Sequence, residues 1–397
     1  MRTSKDVSRR GSLRRTALLA AMIAVASLNT VPISPASAAA TMTPFISHAS
    51  ADSGLHFYKV NGRRYGVLTT IHVLAFSGSE YSVKIGLAHK EIDGGLQTPS
   101  TMCRTTVGCV AAVNGDFFDA TPRGKPDPGD EVGGIIQNCA LLHTPEISHQ
   151  QVDLDGPSVS ANLNWRSTVV VNGVNVPITA INQELPIAYV GVNLLLAGTL
   201  LFTSPYALPT PSSTGWVTDE FTQVDATASP TTINTTTQLQ LAAQTTNAVR
   251  VTSGEVDISV EDASPLATLQ VGATVSLTTT STAGCDNLGG HPILLNNGVV
   301  ALTSPADAYM PDPFARTLIG WTASGETILM TIDGKDGVSG ATAYQLAYLL
   351  QSLNVVTALE VDGGNSTTLY GEGHTLNKPS EGKERPVSTS LLVIRNP

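Results

Sequence analysis

The sequence predicts an α+β protein: a β-rich mixed sheet with few helices and one strand–helix–strand unit near the C-terminus. Three observations lead there. Thr, Val, Gly and Ala are abundant while aromatics make up 5% and charged residues 14% of the chain, a composition that suits pleated, half-buried strands. Short apolar/polar alternations recur, as over residues 66–74 and 81–87, which is the period-two signature of strands. Between Thr327 and Asp362 the pattern turns helical once, with a strand on either side.

Residues 1–38 read as an export signal. Six basic residues precede the apolar run Thr16–Leu28, and Ala36-Ser37-Ala38 offers a small-residue cleavage site. The apolar run is too short to span a bilayer. Ser8-Arg9-Arg10-Gly11-Ser12-Leu13 resembles a twin-arginine signal, with Ser12 where Phe is usual; ordinary secretion behind a basic leader fits as well. The chain carries a net charge of −10, and losing the leader makes it more acidic. A nucleic-acid surface would need a basic stripe, so the charge argues against that class of partner. No second apolar run is long enough for a membrane span; residues 187–202 read as buried strands. Four cysteines, Cys103, Cys109, Cys139 and Cys285, suit two disulfides in an exported protein. Three pairings are open: Cys103–Cys109 would close a small loop and leave Cys139–Cys285 as a long staple.

Along the remainder, residues 54–92 give two or three strands. Val110–Val113 is another, and it runs into the polar turn Asn114-Gly115-Asp116-Phe117-Phe118. The stretch 122–131 is too rich in proline for regular structure. Its Asp127, Asp130 and Glu131 are candidate ligands for a structural calcium, although their spacing fits no EF-hand loop. From about 156 to 283 strand-like runs (167–171, 237–242, 274–277) alternate with Thr/Ser/Pro/Gly loops, and the tract 203–236 reads as long surface loops. This middle is an insertion or a sheet extension.

Chemistry concentrates after residue 289. Gly289-Gly290-His291-Pro292 places a histidine at a strand start. Arg316 lies in a strand that otherwise looks buried, and such a guanidinium needs a carboxylate or a bound anion. The strand 327–332 ends at Asp333-Gly334; Ser339 or Thr342 can cap a helix over about 342–353. The next strand ends at Asp362-Gly363-Gly364, followed by Asn365, Ser366 and Thr367. In a parallel crossover Asp333 and Asp362 emerge at the same end of the sheet. A carboxylate there, beside a glycine turn and a fan of hydroxyls, can hold a polar substrate.

These segments together resemble the phosphodiester glycosidase family. The resemblance rests on Asn114–Phe118, Gly289–Pro292 with Asn297-Gly298, Arg316-Thr317 with Gly320, Ile332–Gly334, Ser339-Gly340, Leu346-Ala347, Leu359–Thr367, Asn377–Ser380 and Glu384–Val387. It runs from about 57 to 394, densest beyond 289. Two departures are Asp116 and Asn365, where the family commonly has glycine. The resemblance implies a single domain over 39–397 with a Thr/Ser-rich β insertion at about 156–283. It implies hydrolysis of a sugar linked through its anomeric carbon to a phosphodiester, by a secreted enzyme acting on an extracellular phosphoglycan, with no cofactor. Asp362 is then the leading catalytic carboxylate, with Asp333 and Asp116 behind it. Arg316 and Arg385 are the phosphate clamps. Asn114, His291, Gly363, Gly364, Ser366, Thr367 and Glu384 would meet the substrate. The pairing Cys103–Cys109 with Cys139–Cys285 is expected because the latter two flank segments matching the family. The competing reading is a non-catalytic carbohydrate-binding or exopolysaccharide-assembly protein on the same scaffold; the carboxylates favour the enzyme. A metal-dependent phosphodiesterase would want clustered ligands, whereas the eight histidines are scattered.

Overall fold

The computed structural model describes residues 46–49, 54–65, 67, 69–120, 129–183, 198–212, 214–225, 228–302, 304, 312–335 and 339–397. The expected export signal, Asp127 and most of 187–202 lie outside these residues.

The described residues form four sheets. The main sheet has eight strands in the order Ile46–Ala49, Leu55–Asn61, Thr70–Ser77, Glu326–Ile332, Arg316–Thr322, Val355–Glu360, Ile293–Asn296, Val299–Val300. A five-stranded sheet runs Ala140–His143, Ile135–Gln137, Asn287–Gly290, Gln150–Asp153, Ser158–Ser160. A second five-stranded sheet runs His374–Thr375, Leu369–Gly371, Cys109–Asn114, Thr389–Arg395, Tyr81–Leu87. One apolar core, with Leu74, Val113, Val152, Phe202, Leu288 and Leu359 among its members, is shared by all of them.

The strand–helix–strand unit forms as the pattern predicts, with one refinement. Glu326–Ile332 and Val355–Glu360 run in the same direction, but Arg316–Thr322 lies between them, antiparallel to both. Helix α2, Ala343–Ser352, is started by Thr342: its hydroxyl accepts from the Gln345 N–H while the Gln345 side chain answers at the Thr342 N–H. Leu346, Ala347, Leu349 and Leu350 are buried against the outer face of the main sheet. Helix α1, Pro99–Arg104, was not foreseen. It has only six residues, too few for a periodic signal; Thr98 caps it and Pro99 fits its first turn.

The middle of the chain builds a fourth sheet of eight strands: Val174–Pro177, Trp165–Val171, Thr274–Ser281, Thr235–Thr245, Trp216–Gln223, Glu255–Glu261, Leu200–Thr203, Ala180–Ile181. Its pairings are antiparallel except that between the last two strands. It has its own core, including Val169, Phe221, Leu239, Ile258 and Leu277. The expectation of long surface loops over 203–236 is therefore corrected: Trp216–Gln223 is a strand paired on both sides. Its Thr and acidic residues hide the alternation, because Asp219 occupies a buried position between Val217 and Phe221.

Two disulfides, Cys103–Cys109 and Cys139–Cys285, are present. The second closes a separation of 146 residues around the fourth sheet. Among the described residues no helix is long and apolar enough to cross a membrane.

Candidate active site

The two polar turns singled out in the sequence meet. Asn114 ends its strand with its side chain fully buried. Its Nδ2 donates to the Asp362 backbone oxygen at 2.6 Å, and its Oδ1 accepts from Thr317 Oγ1 at 2.8 Å and the Thr368 N–H at 3.2 Å. The Asp362 N–H in turn donates to the Gly115 oxygen at 3.0 Å. Asn114 thus joins two sheets at one end and holds the frame of the site.

Asp362 keeps partial exposure, and its Oδ1 accepts the Gly363 N–H at 2.8 Å. Burial of the carboxyl, with the Asp116 charge nearby, pushes its pKa up to about 7 against the opposing pull of Ser366, Gly363 and Arg385. Arg385 lies beside it, with Nη1 3.4 Å from Ser366 Oγ and the guanidinium 5.6 Å from the Phe118 ring centroid. Ser366 and Thr367 are fully buried, so they line the turn from within.

Asp116 is buried and pairs with a histidine that the sequence reading did not single out: His149 Nε2 lies 2.9 Å from its Oδ1. The Asp116 carboxylate fills the space that a Cβ on Gly133 or Gly289 would need, so both positions must lack one. Burial works against a protonated His149, yet the Asp116 charge and hydrogen bond outweigh it and raise its pKa. His291 is shifted the other way, by burial first and then by His149, whose ring lies 6.5 Å off. Neighbouring imidazoles with opposed shifts, near a carboxyl that titrates around neutrality, are the kind of arrangement that separates acid from base roles.

A small, open cleft adjoins these groups, lined by Phe117, His291, Pro292 and Phe314 together with Gly363 and Gly364. Arg316 and Glu360 also line it. Arg316 is buried; its Nη1 lies 2.6 Å from Glu360 Oε1, its Nε donates to the Ala341 oxygen at 2.9 Å, and its Nη2 to the Asp312 oxygen at 3.0 Å. The carboxylate that its buried position demanded is therefore Glu360, two residues before Asp362.

Other expected site residues stand apart. Asp333 reaches the same end of the main sheet as Asp362, but Ala315 and Arg316 intervene. Its carboxylate accepts the Lys378 N–H at 2.8 Å and faces His72 Nε2 at 3.2 Å. Glu384 binds Ser100 instead, through the backbone N–H at 2.7 Å and the hydroxyl at 2.6 Å, in the first turn of α1. Asp130 and Glu131 are buried, each 2% exposed, around Asp116 and His143 rather than on an open calcium loop. Among the described residues no group of three or more His, Cys, Asp or Glu is arranged to hold a metal.

Comparison with known proteins now bears on this site. Residues 216–394 match the phosphodiester glycosidase family model. The matched segment contains His291, Arg316, Glu360, Asp362 and Arg385, while Asp116 and His149 precede it. The bovine N-acetylglucosamine-1-phosphodiester alpha-N-acetylglucosaminidase is 33% identical over 67 residues, 17% of this chain and 13% of that protein. The SPbeta prophage-derived uncharacterized protein YomE of Bacillus subtilis is 34% identical over 93 residues, 23% of this chain and 14% of that protein. The chain thus spans only about one-seventh of these relatives' length. In fold, it resembles a hypothetical protein from Synechocystis, with a TM-score of 0.66 and 18% identity over 86% of this chain and 62% of that one. A Burkholderia pseudomallei K96243 protein whose name marks it as exported gives a TM-score of 0.63 and 19% identity, covering 82% and 74% of the two chains.

Proposed function

We propose that the protein hydrolyses glycosyl phosphodiesters outside the cytoplasm, releasing the sugar and a phosphomonoester. The observation that carries this is Asp362, whose carboxyl is pushed up to about 7 by burial, near the Arg385 guanidinium and directly before Gly363 and Gly364, which line a small cleft. The match of residues 216–394 to the phosphodiester glycosidase family supports it. Arg385 neutralises the phosphate, and guanidinium hydrogen bonds suit its oxygens. Water attacks the anomeric carbon while the Asp362 carboxylate accepts its proton. The bond from that carbon to the bridging oxygen breaks, and the electron pair leaves with the phosphate. A phosphomonoester is a weakly basic leaving group, so charge stabilisation counts for more than protonating it. Phe117, Pro292 and Phe314 offer apolar walls for a sugar face. An oxidising location fits the two disulfides, and the exported Burkholderia neighbour agrees with it.

Hydrolysis of a panel of glycosyl-1-phosphodiesters in ¹⁸O-labelled water tests the reading. Label is expected in the released sugar. Label in the phosphate would mean P–O cleavage, and no turnover by the folded protein with retained sugar binding would favour the carbohydrate binder.

A further inference from the structure

The segment that carries Arg385 is tied down on both sides of it. Two residues later, Val387 and Gln97 exchange backbone hydrogen bonds, at 3.0 Å from the Val387 N–H and 2.9 Å from the Gln97 N–H. One residue earlier, Glu384 holds Ser100 with both oxygens: Oε1 accepts the backbone N–H at 2.7 Å and Oε2 the hydroxyl at 2.6 Å. Ser100 is 5% exposed and stands in the first turn of α1, where a backbone N–H has no partner inside the helix. The disulfide Cys103–Cys109 ties α1 to the strand Cys109–Asn114. Met102 and Cys103 of α1 pack with Val387, and Phe118 lies against the same cluster. The anchors of Arg385 therefore lead back to the strand whose last residue, Asn114, holds Asp362.

The guanidinium itself is lightly held. Its Nη1 donates to Ser366 Oγ at 3.4 Å, long for a hydrogen bond, and its carbon lies 5.6 Å from the Phe118 ring centroid. A long side chain in that condition gives up rotamer freedom when it meets an anion, and fixing its base beforehand reduces the loss. We propose that Glu384 and Ser100 are positioning residues, whose paired hydrogen bonds fix the backbone at Arg385 and so aim its guanidinium at the phosphodiester. Glu384 then serves the substrate at one remove, through its neighbour, rather than by touching it. The inference deepens the reading given above and rests on it for the role of Arg385, but its test needs no turnover.

The Nε–Hε signal of Arg385 in the ¹⁵N-labelled full protein, assigned by its loss in Arg385→Gln, reads the positioning directly. Diethyl phosphate, a phosphodiester monoanion with no sugar, is the binding probe. Glu384→Ala should move that signal toward the position of free arginine and raise the Kd for diethyl phosphate roughly 5–10-fold. In the Arg385→Gln background the same substitution should change Kd less than about 2-fold, because its effect runs through Arg385. Glu384→Gln, which can make both bonds to Ser100, should keep the wild-type signal and affinity. An unmoved Arg385 signal in folded Glu384→Ala overturns the proposal, and so does an equal loss of affinity with and without Arg385. Should Glu384→Ala not fold, Ser100→Ala, which keeps the backbone bond, decides in its place: a signal shifted the same way upholds the proposal, and an unmoved one overturns it. If Arg385→Gln binds diethyl phosphate as tightly as wild type, the phosphate role of Arg385 falls, while the Arg385 signal still upholds or overturns the positioning.

Discussion

Asn114 Nδ2 and the backbone oxygen of Asp362 are 2.6 Å apart although the residues are separated by 248 positions. The first belongs to a strand of a five-stranded sheet, the second to the turn that follows a main-sheet strand. The carboxyl is therefore placed by an amide that never meets solvent. Asn114→Ala would strand Asp362 O, Thr317 Oγ1 and the Thr368 N–H without their partner. The expected loss is about 3 kcal/mol of stability, from unsatisfied buried groups, together with a fall in kcat/KM per folded molecule. Denaturant titration and steady-state kinetics on one preparation check both; unchanged kinetics in a destabilised variant would confine Asn114 to stability.

Asp362 titrates at about 7. Acting as a base, it must be ionised, so kcat/KM should rise as pH increases through about 7 and level off above it. In Asp362→Asn that limb should vanish and kcat/KM should drop roughly 10²–10⁴-fold. A wild-type profile that instead falls through pH 7 would show that the protonated form is the active one.

The two arginines should separate. Arg385→Gln is expected to raise KM or the Kd for a phosphodiester by roughly 10–100-fold, the worth of a charged hydrogen bond, with little change in Tm. Arg316→Gln should cost about 3–5 kcal/mol of stability, because Glu360 is left buried without its partner. Calorimetry of phosphate-diester binding beside thermal melts distinguishes the two; a large Tm loss for Arg385→Gln would contradict the assignment.

In the fourth sheet Asp257 is 1% exposed, opposite Glu220 on the neighbouring strand, with Glu255 also near. Burial first, then these charges, raises its pKa from 3.8 to about 7. The folded state thus binds the proton more tightly than the unfolded one. The associated stability is fully present below about pH 4 and is lost as pH rises through 7. Asp257→Asn should remove that slope and leave the protein more stable than wild type at pH 8, by as much as about 4 kcal/mol. Melting curves from pH 4 to 8 decide it; parallel slopes in the two proteins would show that Asp257 is not the source.

What the sequence made legible was what local chemistry controls. Thr342 was one of two candidate caps for α2, and it is the one that starts the helix; Asp362 stands where an apolar run stops at two glycines. Arg316 advertised a need for a partner, and Glu360 was already in the stretch that drew attention. His149 was not legible, because its meaning comes from Asp116, 33 positions earlier, through pairing of strands that no local pattern reports. The surroundings of Glu384 and Asp333 were hidden for the complementary reason. Their neighbours in sequence match the glycosidase pattern, but distant residues, Ser100 and His72, take up their carboxylates. Glu131 looked like a solvent-loop ligand because the prolines before it are visible and the burial after them is not.

The staple between Cys139 and Cys285 has a consequence for durability. Asp116 lies on its N-terminal side and Asp362 on its C-terminal side, with most of the fourth sheet strung between the two cysteines. A protease that cuts any loop of that sheet therefore divides the chain without parting the two halves of the site. A nicked molecule remains one covalent species, held as well by the pairing of Asn287–Gly290 with Ile135–Gln137. A severed loop there leaves the two halves of the site in one molecule.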